Sequence, residues 1–297
     1  MNLMQGTISD RQRISPRKLA PVVFLAALAL AEALWLRVHP LVFSGTEPVF
    51  WTTLVLLGIS WIYGSSGRSL ALSEMSFYAA LWIVTALIGA ILTYLFASLN
   101  LPLLDARFTR LDQALGFNWR AFYDFVQQHP LLRALLTLAY YSGLLQVFFS
   151  IIYLSHSGRS DRNEELWWAS SIALMLTALL SGLLPAGGTL FFHSIGLENA
   201  VHLPHFMALR DESLREFAFG DLKGIVTFPS YHTTIALLLI HAYRQLGLFR
   251  GVLALNVLML ISTPINGGHY LVDMLGSGVV TVISIYLTRR IQYLLQQ

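Results

Sequence analysis

Eight long apolar runs constrain this chain more than any other feature: residues 20–37, 48–64, 74–98, 131–154, 166–185, 230–248, 251–265 and 268–288. A hydrocarbon core of about 30 Å takes roughly 20 apolar residues to cross as a helix, and only helices or closed barrels satisfy their own backbones there. No alternating strand pattern is present, so the expected fold is all-α: a polytopic membrane bundle of about eight transmembrane helices. Charged residues are 12% of the 297, against roughly 25% in a soluble domain, which fixes the class. The chain divides into an N-terminal cytoplasmic tail (1–19), two N-terminal transmembrane helices (20–72) and a six-helix membrane domain (73–290) that holds the chemically interesting residues.

Lys and Arg at the segment ends set the expected orientation. Arg11, Arg13, Arg17, Lys18, Arg68, Arg159, Arg162, Arg244, Arg250, Arg289 and Arg290 fall on one side. Arg37, Arg107, Arg110, Arg120, Arg133, Arg210, Arg215 and Lys223 fall on the other, nearly all in or beside the long loops 99–130 and 186–229. The short loops are basic on the first side, so both termini are expected in the cytoplasm and the long loops on the extracytoplasmic or lumenal side. The first segment has a basic leader and Ala29-Leu30-Ala31 as a cleavage-like site; the leader is long, and the segment reads as an anchor.

Residues 103–128 read as an amphipathic helix in the membrane interface. Leu104, Phe108, Leu111 and Leu115 recur at helical spacing with Arg107, Arg110 and Asp112 between them, and Trp119, Phe122 and Phe125 extend the anchoring. The absence of cysteine removes disulfides, thiolate catalysis and Cys-ligated metals. A net charge of +3 without a basic stripe gives no reason to expect nucleic acid.

Two polar clusters sit at the mouths of apolar helices. In Phe228-Pro229-Ser230-Tyr231-His232-Thr233, proline and serine mark a helix start whose free N–H groups suit a phosphate, with His232 on the first turn. In Gly267-Gly268-His269-Tyr270-Leu271-Val272-Asp273, His269 and Asp273 are four apart. Stacked on one helical face, the carboxylate would hold one ring nitrogen and leave the other free to react. The sixth and eighth segments run parallel, so both histidines lie on the same side of the membrane at similar depth. One suits a nucleophile, the other an acid for a leaving oxygen.

These two segments resemble the histidine motifs of the type 2 phosphatidic acid phosphatase superfamily. Pro204-His205-Phe206-Met207-Ala208-Leu209-Arg210-Asp211 and the run from Leu111 to Trp119 resemble its inositol phosphorylceramide synthase-like (inositolphosphotransferase) branch, which acts on sphingolipids. The resemblance covers about residues 100–285 and implies phosphotransfer through a phosphohistidine, with no metal or other cofactor. It casts His269 as nucleophile, Asp273 as its orienting partner and His232 as proton donor, with Ser230 and Tyr231 at the substrate. Two cationic features of the phosphatase members are missing. Ser262 and Thr263 stand where a Ser-Arg pair is usual, and no Lys or Arg-Pro motif precedes His232. Arg210 and Lys223 are the replacement candidates for phosphate charge, and a singly charged phosphodiester suits the loss better than a monoester.

The expected partners are the bilayer, a lipid substrate and an alcohol or polyol acceptor. A different reading of the same residues is a proton-coupled transporter using His269, Asp273 and Glu32. Glu32 lies within reach of Arg37 and suits a structural role. His202 and His205 lack the acidic or cysteine partners of a zinc set, and His193 and His241 are expected away from the chemistry. Asn256, Tyr140 and Gln146 are candidates for hydrogen bonds between helices.

Overall fold

A computed structural model describes residues 16–297. Expectations that rest on earlier residues, including Arg11 and Arg13, lie outside that range. The described residues form thirteen α-helices, beginning with α1 (Pro16–Val38), α2 (Glu47–Ser66) and α3 (Leu70–Ala97). Next come α4 (Asp105–Ala114), α5 (Trp119–Gln128), α6 (Pro130–Tyr141), α7 (Gly143–His156) and α8 (Ser160–Leu183). The remainder are α9 (Thr189–His193), α10 (Leu203–Arg210), α11 (Tyr231–Ala242), α12 (Phe249–Asn266) and α13 (Leu271–Leu294). Six of them, α1, α2, α3, α8, α12 and α13, are long and apolar enough to cross a membrane. The all-α polytopic bundle is therefore observed.

Two expected spans differ from simple helices. The run 131–154 is broken at Ser142, where α6 and α7 meet at 49°. The run 230–248 yields only the 12 residues of α11, followed by turns. At 1.5 Å per residue α11 is about 18 Å long, well short of a ~30 Å core. The C-terminal end of α11 is held at a charged end of the bundle, where His241 meets Glu165, and its N-terminal end carries His232.

Small residues let the long helices close on one another. A Cβ on Gly89 of α3 would overlap the Leu174 side chain of α8, and one on Gly182 of α8 would lie 2.6 Å from Phe96 Cβ of α3. The largest core cluster packs Phe77, Leu154, Trp167, Trp168 and Leu238 between these helices, α7 and α11. At the foot of the bundle the Glu165 carboxylate takes His241 Nε2 at 3.0 Å and Arg244 at 2.8 Å, with Arg162 and Arg289 each at 3.7 Å. Three arginines that the charge count placed on one side thus meet at one end. At the other end Ser277 Oγ of α13 donates to the Ser230 carbonyl at 2.8 Å. Helices α11 and α13 are therefore parallel, as one intervening helix requires.

The expected single amphipathic helix over 103–128 is two. Gly116 adopts φ 78°, a left-handed conformation that favours glycine, and turns the chain between α4 and α5. The apolar stripe divides as well: Phe108 is buried, while Leu111 and Leu115 stay exposed. Asp112, read as part of the solvated face, is buried. A short parallel pairing of β1 (Val42–Ser44) with β2 (Glu216–Ala218), which no sequence pattern announced, ties the α1–α2 connection to the long loop before α11.

Candidate active site

Residues 267–270 join α12 to α13. Gly268 adopts φ 64°, and its carbonyl accepts the Thr189 N–H at 2.7 Å. Gly188 faces it at φ 93°, where a Cβ would lie 2.7 Å from that carbonyl oxygen. Two glycines thus press the 185–189 loop against the histidine loop and leave His269 only 3% exposed. Its Nδ1 lies 2.8 Å from the Thr227 carbonyl oxygen and 3.2 Å from Asp273 Oδ2. Both neighbours are acceptors, so Nδ1 carries the proton and donates, and Nε2 keeps its lone pair. Burial pushes the imidazole down to about 4, with the Thr227 hydrogen bond opposing, which holds the ring neutral.

The pairing of His269 with Asp273 is real, but its geometry is not the expected helical stack. His269 precedes the helix. Tyr270 is the N-cap of α13, and Asp273, in its first turn, folds its carboxylate back to accept the Tyr270 N–H at 2.8 Å. The same oxygen reaches the imidazole because it is already capping the helix.

His232, on the first turn of α11, is exposed. Its ring stacks on Tyr140 of α6 at 4.2 Å between centroids and 20° between planes, and its Nδ1 lies 3.2 Å from the Tyr140 hydroxyl. A Cβ on Gly267 would be 2.8 Å from that hydroxyl and 2.5 Å from His269 Cδ2. Tyr140 therefore stands beside both histidines, and the two motifs share one site.

Residues 106–287 match the family described as the PAP2 superfamily. The chain belongs to the PAP2 superfamily. No curated protein and no solved structure matches it. The PAP2 match opens in α4 and closes in α13, enclosing both histidines and leaving α1–α3 outside. PAP2 members are membrane phosphatases and phosphotransferases acting on lipid phosphates; this PAP2 protein is accordingly an integral membrane enzyme of that kind.

Other residues expected at the PAP2 site fall into different places. Ser230 is fully buried and spends its Oγ on the Thr233 N–H at 3.3 Å, capping α11. The N–H groups of Tyr231 and His232 find no acceptor among the described residues, so this helix mouth keeps two free donors. The Tyr231 side chain is turned into the bundle, its hydroxyl donating to the Ser170 carbonyl of α8 at 3.1 Å, so that its backbone N–H is what it offers at the helix mouth. Lys223 is exposed and tied only through its backbone N–H to the Tyr94 hydroxyl at 3.0 Å. Arg210 sits closer. Its guanidinium donates to the Leu101 carbonyl at 2.8 Å, burial depresses its basicity, and the Asp105 carboxylate opposes that. Ser262 and Thr263 are buried in α12 and spend their hydroxyls on the Met259 carbonyl at 2.7 and 2.8 Å.

His202 Nε2 approaches the Gly187 carbonyl at 3.3 Å, whereas His205 Nδ1 pairs with the Tyr94 hydroxyl at 2.7 Å. Glu32 is buried in α1.

The sequence reading missed the two carboxylates that assemble this wall. Asp105 accepts the N–H groups of Gly187 and Gly188 at 3.0 and 2.9 Å and the Tyr270 hydroxyl at 2.8 Å. Asp112 accepts the N–H groups of Leu271 and Val272 at 2.8 and 3.0 Å. Their spacing of seven, two helical turns, was the available signal. With Asp112 filling the mouth of α13, α11 is the one of these two helices that keeps free N–H groups for an anion.

Proposed function

We propose that this protein moves a phosphoryl or phosphodiester group from a lipid to an alcohol or to water through a covalent intermediate on His269. The observation that carries the reading is the hydrogen-bond pattern of His269: with Nδ1 donating to Thr227 and Asp273, the second nitrogen is left basic and unprotonated. Nε2 attacks phosphorus, the bond from phosphorus to the leaving oxygen breaks, and His232 gives that oxygen a proton. The acceptor hydroxyl then returns a proton to His232 as it displaces His269 from phosphorus. The free N–H groups at the mouth of α11 take phosphate oxygens, and Arg210 supplies positive charge.

Loss of the usual arginine beside the second histidine favours a phosphodiester, in line with an inositolphosphotransferase-like role on a sphingolipid. The basic short loops favour a site opening to the extracytoplasmic or lumenal side. Asp273 is engaged by His269 and the Tyr270 N–H at the mouth of α13, which supports chemistry there over a proton path across the membrane.

The test uses purified protein in mixed micelles with a phospholipid and either inositol or water as acceptor. Denatured, alkali-quenched samples are read by mass spectrometry for a phosphoryl or phosphodiester adduct on His269. His269→Ala should lose both turnover and adduct. Asp273→Asn should slow turnover about 100-fold, less than loss of the nucleophile, because Thr227 still holds Nδ1. Wild-type turnover without an adduct on His269, or undiminished activity of His269→Ala, overturns the reading.

A further inference from the structure

The two histidines need opposite tautomers, and the structure shows what sets the second. Tyr140 lies in the last turn of α6, just before the break at Ser142, and is 8% exposed. A buried hydroxyl requires an acceptor for its proton. Among the described residues the one acceptor within hydrogen-bond distance of the Tyr140 oxygen is His232 Nδ1, at 3.2 Å. The phenol therefore donates, and Nδ1 accepts. A neutral imidazole that accepts at Nδ1 carries its hydrogen on Nε2.

We propose that Tyr140 is a positioning residue that places the transferable proton of His232 on Nε2, making this ring the acid while His269, protonated on Nδ1, is the nucleophile. The proposal rests on the phosphotransfer reading above and adds to it the group that assigns the roles. Geometry supports it from a second side. The stacked phenol restrains rotation of the His232 ring, and the contact of Gly267 with both the Tyr140 hydroxyl and the His269 ring keeps the phenol in register with the nucleophile. In the first step the Nε2 proton goes to the leaving oxygen as its bond to phosphorus breaks. The ring is left as an imidazolate-like acceptor only if Nδ1 has no donor. The Tyr140 hydroxyl supplies that donor, sharing its proton with Nδ1 as charge develops.

The experiment compares two synthetic phosphate esters in mixed micelles. Dihexadecyl phosphate expels an alkoxide that must be protonated; hexadecyl nitrophenyl phosphate, also a phosphodiester, expels a phenolate that need not be. Tyr140→Phe keeps the ring and its stacking. It should slow the alkyl ester about 100-fold, within the range of general-acid catalysis, while slowing the nitrophenyl ester less than about threefold. His232→Ala should show the same selectivity with a larger loss on the alkyl ester. Equal slowing of both esters by Tyr140→Phe, or no slowing of either, overturns the proposal. An unaffected His232→Ala, or a wild-type protein that turns over neither ester, instead overturns the phosphotransfer reading on which it stands.

Discussion

Asp112 and Leu271 are 159 positions apart, yet the Asp112 carboxylate accepts the Leu271 N–H at 2.8 Å and, with its other oxygen, the Val272 N–H at 3.0 Å. Helix α4 thereby caps α13, whose first turn holds the His269 ring. The anchoring is charge-assisted and lies at the positive end of the α13 dipole. It also offsets the burial that raises the Asp112 carboxyl above its ordinary range, since both N–H groups favour the ionised form.

Asp112→Ala should therefore destabilise the protein by about 3 kcal/mol, the sum expected for two hydrogen bonds to a buried carboxylate. Asp112→Asn, which keeps one good acceptor, should lose about half of that. Thermal unfolding in detergent reads the difference. An Ala variant as stable as the wild type would show that α4 does not hold α13 in place.

The pH profile follows from the burial of His269. A nucleophile must be neutral, so the rate rises with pH through its pKa and levels off above it. Burial takes His269 from 6.5 down to about 4. Turnover of a phosphodiester, which does not itself titrate in this range, should hold its plateau to about pH 5 before falling. Stability has the same sign. The folded form binds this proton less readily than the unfolded form, so its contribution is complete above 6.5 and is eroded as pH falls towards 4. An acid limb centred near 6.5 in kcat/KM would mean that burial does not govern the ring.

Legibility in the sequence tracked how local each signal was. The spans were readable because a helix in a membrane must supply its own apolar length, and α3, α8, α12 and α13 do so. The break at Ser142 was not, since α6 and α7 are both apolar and no proline stands between them; the Ser142-Gly143 pair was its one local sign. His232, His269 and Asp273 stood out as polar residues where polarity is costly. Asp105 and Asp112 did not, because carboxylates between arginines on an amphipathic helix look solvated until the chain end that they cap is folded onto them. Tyr231 is divided, its backbone N–H at the helix mouth and its side chain in the bundle. Its place between Ser230 and His232 suggested the site, but neighbours on a helix point about 100° apart, and its side chain faces α8.

Gly267 offers the sharpest test of how tightly the two histidines are held. Its φ of −96° is ordinary for any residue, so alanine strains no backbone there. The added Cβ meets His269 Cδ2 at 2.5 Å, the Tyr140 hydroxyl at 2.8 Å and the Thr263 carbonyl oxygen at 2.9 Å. The carbonyl belongs to α12 and yields little, so both rings must move away from their partners. A misplacement of about 1 Å in a catalytic group costs on the order of 100-fold in rate. Gly267→Ala should lose about that much in kcat. Gly278→Ala, in α13 with nothing within 4 Å of its Cβ, serves as the matched control. It should keep full activity and gain up to about 1 kcal/mol from helix propensity. Measured side by side, equal kcat values for the two variants would mean that the rings tolerate displacement and that the site is looser than these contacts require.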